Sequence, residues 1–326
     1  MNAVSFVSFF RFLLLFALYS GLVFTSCSSD TTADKNSSTT DDSDIADLDG
    51  PLFELLTASE TGIDFNNKLN DDPTGNRNVL SFQHYYNGSG VGIGDFNNDN
   101  LPDVFFSGNE VPNRLYINKG NLQFEDVTES AGINVNKQWG TGVSIVDINK
   151  DGFLDIYVCQ YGPSPKASER ENCLYINNGD MTFTEKAEAY GLNDGNESTQ
   201  AAFFDFDKDG DLDCYVMNES KYAGVILKTV YKDLEKKENL EAASGNMYRN
   251  DGGTFTKITE EAGMLKYGYG LGLAVSDINA DGWLDVYVAN DYSVPDFMYL
   301  NNGDGTFTES LKEHTKQISF YGMGID

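Results

Sequence analysis

The chain has 326 residues, 13% of them aromatic, with 32 glycines and a formal net charge of −29. That length allows a large buried core, and plentiful Gly, Asp and aromatic residues suit short strands joined by tight turns rather than a helical bundle. The charge excludes nucleic acid as a partner, because its phosphates would be repelled.

Residues 12–26 form an apolar run behind Arg11 and end at Cys27. A basic residue, a short apolar stretch and small residues before a cut site describe an export signal. The sequence Phe24-Thr25-Ser26-Cys27 resembles a loose bacterial lipobox, with Cys27 as the lipidated first residue of the mature chain. It departs from the usual pattern in lacking Leu three residues before the Cys and in having a single basic residue ahead. The competing reading is an uncleaved anchor, since residues 4–26 are just long enough to span a bilayer. The expected organisation is a lipoprotein signal over 1–26, a disordered polar tether over 27–50 and a folded domain over 51–326. The domain is then extracytoplasmic and held to a membrane through the lipid.

Self-similarity decides the fold of that domain. Residues 52–56 match a repeat's fourth strand without the rest of its unit, as expected where a ring closes by pairing its first and last strands. An Asp-rich loop then recurs four times, at Asp95-Asn97-Asp99-Asp103, Asp147-Asn149-Asp151-Asp155, Asp205-Asp207-Asp209-Asp213 and Asp277-Asn279-Asp281-Asp285. A Gly- or Ala-rich apolar strand precedes each loop and three more strands follow, the last around Phe124, Phe183, Phe255 and Phe307. Four antiparallel strands per unit make one propeller blade. The prediction is an all-β protein, a β-propeller of four complete four-stranded blades and the start of a fifth. Gly322 and Gly324 repeat the glycine pairs Gly140/Gly142 and Gly270/Gly272 that stand ahead of a loop, so a fragment of a seven- or eight-bladed ring is expected. Length variation falls in the connection between second and third strands. In the third repeat it holds Val225, Leu227, Val230 and Leu234, whose spacing predicts an inserted amphipathic helix.

Each loop offers side-chain oxygens at positions 1, 3, 5 and 9 and a backbone carbonyl at position 7, from Leu101, Phe153, Asp211 and Trp283. Hard oxygen donors on a flexible loop suit Ca²⁺, one ion per loop, where Mg²⁺ would demand a tighter octahedron. Position 6 needs a left-handed turn and holds Gly152, Gly210 and Gly282, with Asn100 as the best substitute. An EF-hand is excluded, because position 12 holds Phe106, Val158, Val216 and Val288 in place of Glu, and strands flank the loops. Cys159 and Cys173 flank one connection and form a disulfide if the compartment is oxidising, while Cys214 reads as a small buried hydrophobe.

These loops resemble the FG-GAP and VCBS-type repeats, the propeller family that includes the integrin α-chain head. The resemblance covers about residues 52–326. Phrases such as Tyr299-Leu300-Asn301-Asn302-Gly303-Asp304-Gly305-Thr306-Phe307 look closer still to bacterial surface lipoproteins related to cartilage acidic protein. The resemblance implies calcium, a full propeller often followed by an ASPIC/UnbV domain, and for some members a place beside outer-membrane glycan-uptake systems.

Two functions compete. A binding or adhesion module would present the face opposite the metal loops to a glycan or surface protein, with Trp139, Tyr161, Tyr269 and Tyr292 as candidate contacts. Entrance packing also places aromatics there. The alternative is a calcium-dependent polysaccharide lyase or other polysaccharide-processing enzyme, which needs a base. The two histidines, His84 and His314, show no partner in the sequence, and no nucleophile elbow, phosphate loop or zinc cluster is present, so no catalytic residue is expected.

Overall fold

The structure is a computed structural model and describes residues 53–75, 77–133, 139–220, 236–292, 294–319 and 321–325. The expected signal, Cys27, the tether and most of the inserted segment of the third repeat lie outside the described residues. The chain divides into two units, residues 1–55 and 56–326.

The second unit contains four four-stranded antiparallel sheets, each with its strands in chain order. The first holds β1 (Val91–Gly94), β2 (Asp103–Phe106), β3 (Arg114–Asn118) and β4 (Phe124–Asp126). The second holds β5 (Gly140–Val146), β6 (Asp155–Gln160), β7 (Cys173–Asn177) and β8 (Phe183–Glu185). The third holds β9 (Glu197–Phe204), β10 (Asp213–Glu219), β11 (Asn246–Asn250) and β12 (Phe255–Lys257). The fourth holds β13 (Gly270–Ser276), β14 (Asp285–Asn290), β15 (Phe297–Asn301) and β16 (Phe307–Glu309). The first strands β1, β5, β9 and β13 neighbour one another in that order. These are the blades of a β-propeller, arranged around their first strands.

The core lies between blades. The second strands are buried on both faces, as in Ile156, Tyr157 and Val158 of β6. Their apolar side chains meet those of the next blade: Tyr215 and Met217 pack in one cluster with Val286, Val288 and Tyr299. Burying each large side chain contributes about 1.5–3 kcal/mol. The glycine pairs have a steric cause. A Cβ on Gly142 would lie 2.6 Å from the Thr199 carbonyl oxygen, and one on Gly272 would lie 3.0 Å from the backbone of Gly324. Only glycine lets neighbouring first strands approach that closely.

One expectation is corrected. Residues 53–56 form no strand, and Phe53 and Leu55 are about nine-tenths exposed. A strand requires a hydrogen-bonded neighbour, and no described residue pairs with this segment. Its exit does follow the repeat, because Gly62 sits against the Phe124 carbonyl as Gly132 sits against that of Phe183. In this structure Cys159 and Cys173 are buried thiols that are not joined as a disulfide. Of the inserted segment, Lys237–Glu241 is a short helix. No helix among the described residues is long and apolar enough to cross a membrane.

Candidate functional site

Each Asp-rich loop joins the first and second strands of its blade, and all four share the bracket made by their ninth residue. The ninth residue acts as a bracket. Asp155 accepts the amide of Ile148 at 3.0 Å on Oδ2 and that of Asn177, on the third strand, at 2.8 Å on Oδ1. Asp103, Asp213 and Asp285 make the equivalent pairs. All four are completely buried. Burial pushes the Asp155 carboxyl up to about 6 and that of Asp213 to about 7, against the opposing pull of the two amides, and raises Asp103 in the same direction.

The first, third and fifth residues gather at the loop's tip. In the second loop Asp147 accepts the amides of Asp151 and Gly152, and Asn149 Nδ2 donates to Asp151 Oδ2 at 2.9 Å. The first and fourth loops repeat these bonds through Asp95, Asn97 and Asp99, and through Asp277, Asn279 and Asp281. The predicted left-handed position holds φ of 89°, 95° and 90° at Gly152, Gly210 and Gly282, and 68° at Asn100.

The third loop differs, because Asp207 stands where the others have Asn and has no proton to donate. Asp205, Asp207 and Asp209 each bring a carboxylate oxygen within 4.8 Å of the others. Oδ1 of Asp205 is buried without a hydrogen-bond partner. Three carboxylates that close repel unless a cation lies between them. The residues therefore fit a hard metal ion that takes several oxygen ligands.

A second left-handed residue per loop was not legible in the sequence. The fourth positions, Asn98, Lys150, Lys208 and Ala280, have φ between 58° and 62°. Three of these side chains reach the next loop. Asn98 Nδ2 donates to the Gly152 carbonyl at 3.1 Å, Lys150 Nζ lies 2.6 Å from Asp211, and Lys208 stacks on Trp283. The side chains of Asp211 and Trp283, named for their carbonyls, thus tie successive loops together. Leu101 and Phe153 are partly buried at the equivalent places.

The opposite face carries the aromatic candidates. Trp139 and Tyr161 are 7% exposed and Tyr269 is 3% exposed. Phe82, Tyr85, Trp139 and Tyr161 form one cluster, with the Phe82 ring edge-on to Trp139 and to Tyr161. Tyr269 packs on Tyr267 and Tyr292. These rings are packed against one another and do not offer open faces for stacking; Tyr292 alone of the four is half-buried. Residues 78–87, ahead of β1, cross this face. Gln83 accepts the Tyr292 hydroxyl proton at 2.6 Å, and His84 Nε2 lies 2.8 Å from Glu219 at the end of β10. His84 therefore has a partner, supplied by tertiary contact 135 positions away. His314 ends a one-turn helix at Leu311–His314.

Comparison with known proteins agrees with this architecture. The FG-GAP-like repeat family matches residues 95–158, 167–216 and 277–325, half of the chain. Cartilage acidic protein 1 of Xenopus tropicalis is 26% identical over 216 residues, covering 66% of this chain and 30% of that protein. The Mus musculus protein of the same name is 25% identical over 233 residues, covering 69% and 32%. The chain spans about a third of the length of these relatives. Among solved structures, a GH43 β-1,3-galactosidase with galactodeoxynojirimycin matches with a TM-score of 0.35 and 10% identity, over 68% of this chain and 74% of that one.

Proposed function

Because this chain belongs to the FG-GAP-like repeat family, we propose that it is a calcium-stabilised binding or adhesion module. Four copies of one oxygen-rich loop carry the reading, all on the same edge of their blades. Asp95, Asn97, Asp99 and Asp103 and their counterparts hold one Ca²⁺ per loop, with the seventh carbonyl and the free lone pairs of the ninth carboxylate completing each set. The metal is structural. It neutralises the carboxylates of the loop tip and so fixes the turn between first and second strands. Each ion that binds only the folded state adds about 2.7 kcal/mol at a hundredfold excess over its Kd.

The ligand face lies on the other side, where connections of unequal length meet the channel mouth, and it takes a glycan or a surface protein. The chain is extracytoplasmic and lipid-anchored at Cys27, at a bacterial outer membrane or cell surface. The enzyme reading finds no support at His84. The Asn87 amide nitrogen lies 2.8 Å from its Nδ1 and Glu219 lies 2.8 Å from Nε2, and no second carboxylate stands beside it among the described residues of their cavity. Screening the calcium-loaded protein against glycans and surface proteins, beside an assay for cleavage of acidic polysaccharides, tests the reading. Saturable binding without turnover supports it, and turnover without retained binding contradicts it.

A further inference from the structure

At the channel mouth a cavity of about 240 Å³ is walled by one residue from each blade, Ser89, Thr141, Thr199 and Leu271. Each stands six residues before the first Asp of its loop. Trp139 and Tyr161 form one side, and His84 and Glu219 complete the lining.

The polar side chains of this cavity spend their protons inward. Ser89 Oγ donates to the Ser107 carbonyl at 2.6 Å, Thr141 Oγ1 to that of Ser198 at 2.7 Å, and Thr199 Oγ1 to that of Gly270 at 3.0 Å. The Asn87 amide donates to His84 Nδ1, which places the imidazole proton on Nε2, facing Glu219 Oε1 at 2.8 Å. Glu219 is completely buried, and its Oε2 has no hydrogen-bond partner. A buried charge with an unused acceptor is costly unless a donor arrives from outside. The cavity thus presents acceptor lone pairs from three hydroxyls and a buried carboxylate oxygen without a partner.

We propose that this cavity binds the protonated amino group of an amino sugar, with the ammonium on Glu219 and ring hydroxyls donating to the threonine and serine oxygens. An ammonium offers three donors and no acceptor, which matches the Glu219 carboxylate and the hydroxyl oxygens of this lining. A cavity of this size ringed by hydroxyls suits a sugar ring better than the narrow stem of a lysine side chain. The net charge of −29 also raises the local concentration of cations. The inference rests on the binding-module reading above and gives that face its ligand class.

The chain has two tryptophans, and Trp283 lies at the metal loops, so Trp283→Phe leaves Trp139 as the sole indole, at the cavity wall. The calcium-loaded variant is titrated with glucosamine, N-acetylglucosamine, glucose and Nα-acetyl-lysine amide while its emission is followed. Glucosamine should perturb Trp139 saturably and bind at least tenfold more tightly than the other three. Glu219→Gln, which keeps shape and removes charge, should abolish that preference. Equal binding of glucose and glucosamine would overturn the ammonium assignment, and tighter binding of the lysine amide would overturn the sugar. Retained selectivity in Glu219→Gln, or no response to glucosamine, overturns the site. A neutral glycan bound equally by wild type and Glu219→Gln would do so while leaving the binding-module reading intact.

Discussion

The ammonium of Lys208 sits 3.8 Å from the centre of the Trp283 ring, so the fourth residue of one Asp-rich loop lies on the seventh residue of the next. Lys150 and Asp211 make the corresponding link one blade earlier. Successive loops are therefore coupled edge to edge. A double-mutant cycle of Lys208→Met and Trp283→Leu, read by denaturant unfolding, should give a coupling of about 0.5–1 kcal/mol, as for an exposed cation–π pair. Additive single effects would show that the loops are stabilised independently.

Asp207 sets the third loop apart. Asp207→Asn restores the amide that the other loops use to bridge to the fifth residue and removes one of three crowded carboxylates. The chelated variant should melt higher than chelated wild type, since repulsion at the tip is reduced. Its calcium affinity should fall about tenfold at one site, because charge count tunes affinity in such loops. Melting curves with and without chelator, beside calorimetric titration, check both directions.

The blades were legible because one side-chain pattern governs them. The loop Asp residues, the following alternating strands and the left-handed glycines all recur in register, so local chemistry and fold agree. The candidate ligand face was not legible in the same way. Glu219 closes an ordinary strand and His84 sits in a segment without periodicity, and only the fold brings them together. Trp139 and Tyr269 share a place in their repeats, yet that shared place is a packing position where neighbouring rings cover them. The fourth loop residues were missed for another reason. Asn98, Lys150, Lys208 and Ala280 have no composition in common that signals a positive φ, which the loop imposes on whichever residue stands there.

Phe206, second in the third loop, is buried and packs on Phe307 of the next blade, with ring centres 5.8 Å apart. Its carbonyl accepts the Asn301 amide of that blade at 2.8 Å. Phe206→Ala should cost about 3–5 kcal/mol through the cavity it leaves. A loss below about 1 kcal/mol, measured by denaturant unfolding, would mean that blades three and four do not share a core.

Cys27→Ser should release protein from the membrane fraction or leave an uncleaved precursor. Fractionation and gel mobility identical to wild type would remove the lipid anchor from the account.

The central claim is that the Asp-rich loops are calcium sites that hold the propeller together. Metal content of the purified chain after equilibrium dialysis against calcium measures it directly. The account predicts four ions per chain, three in Asp209→Ala, and a substantially lower melting temperature once chelator removes them. A chain that retains no calcium and melts identically with and without chelator would contradict it.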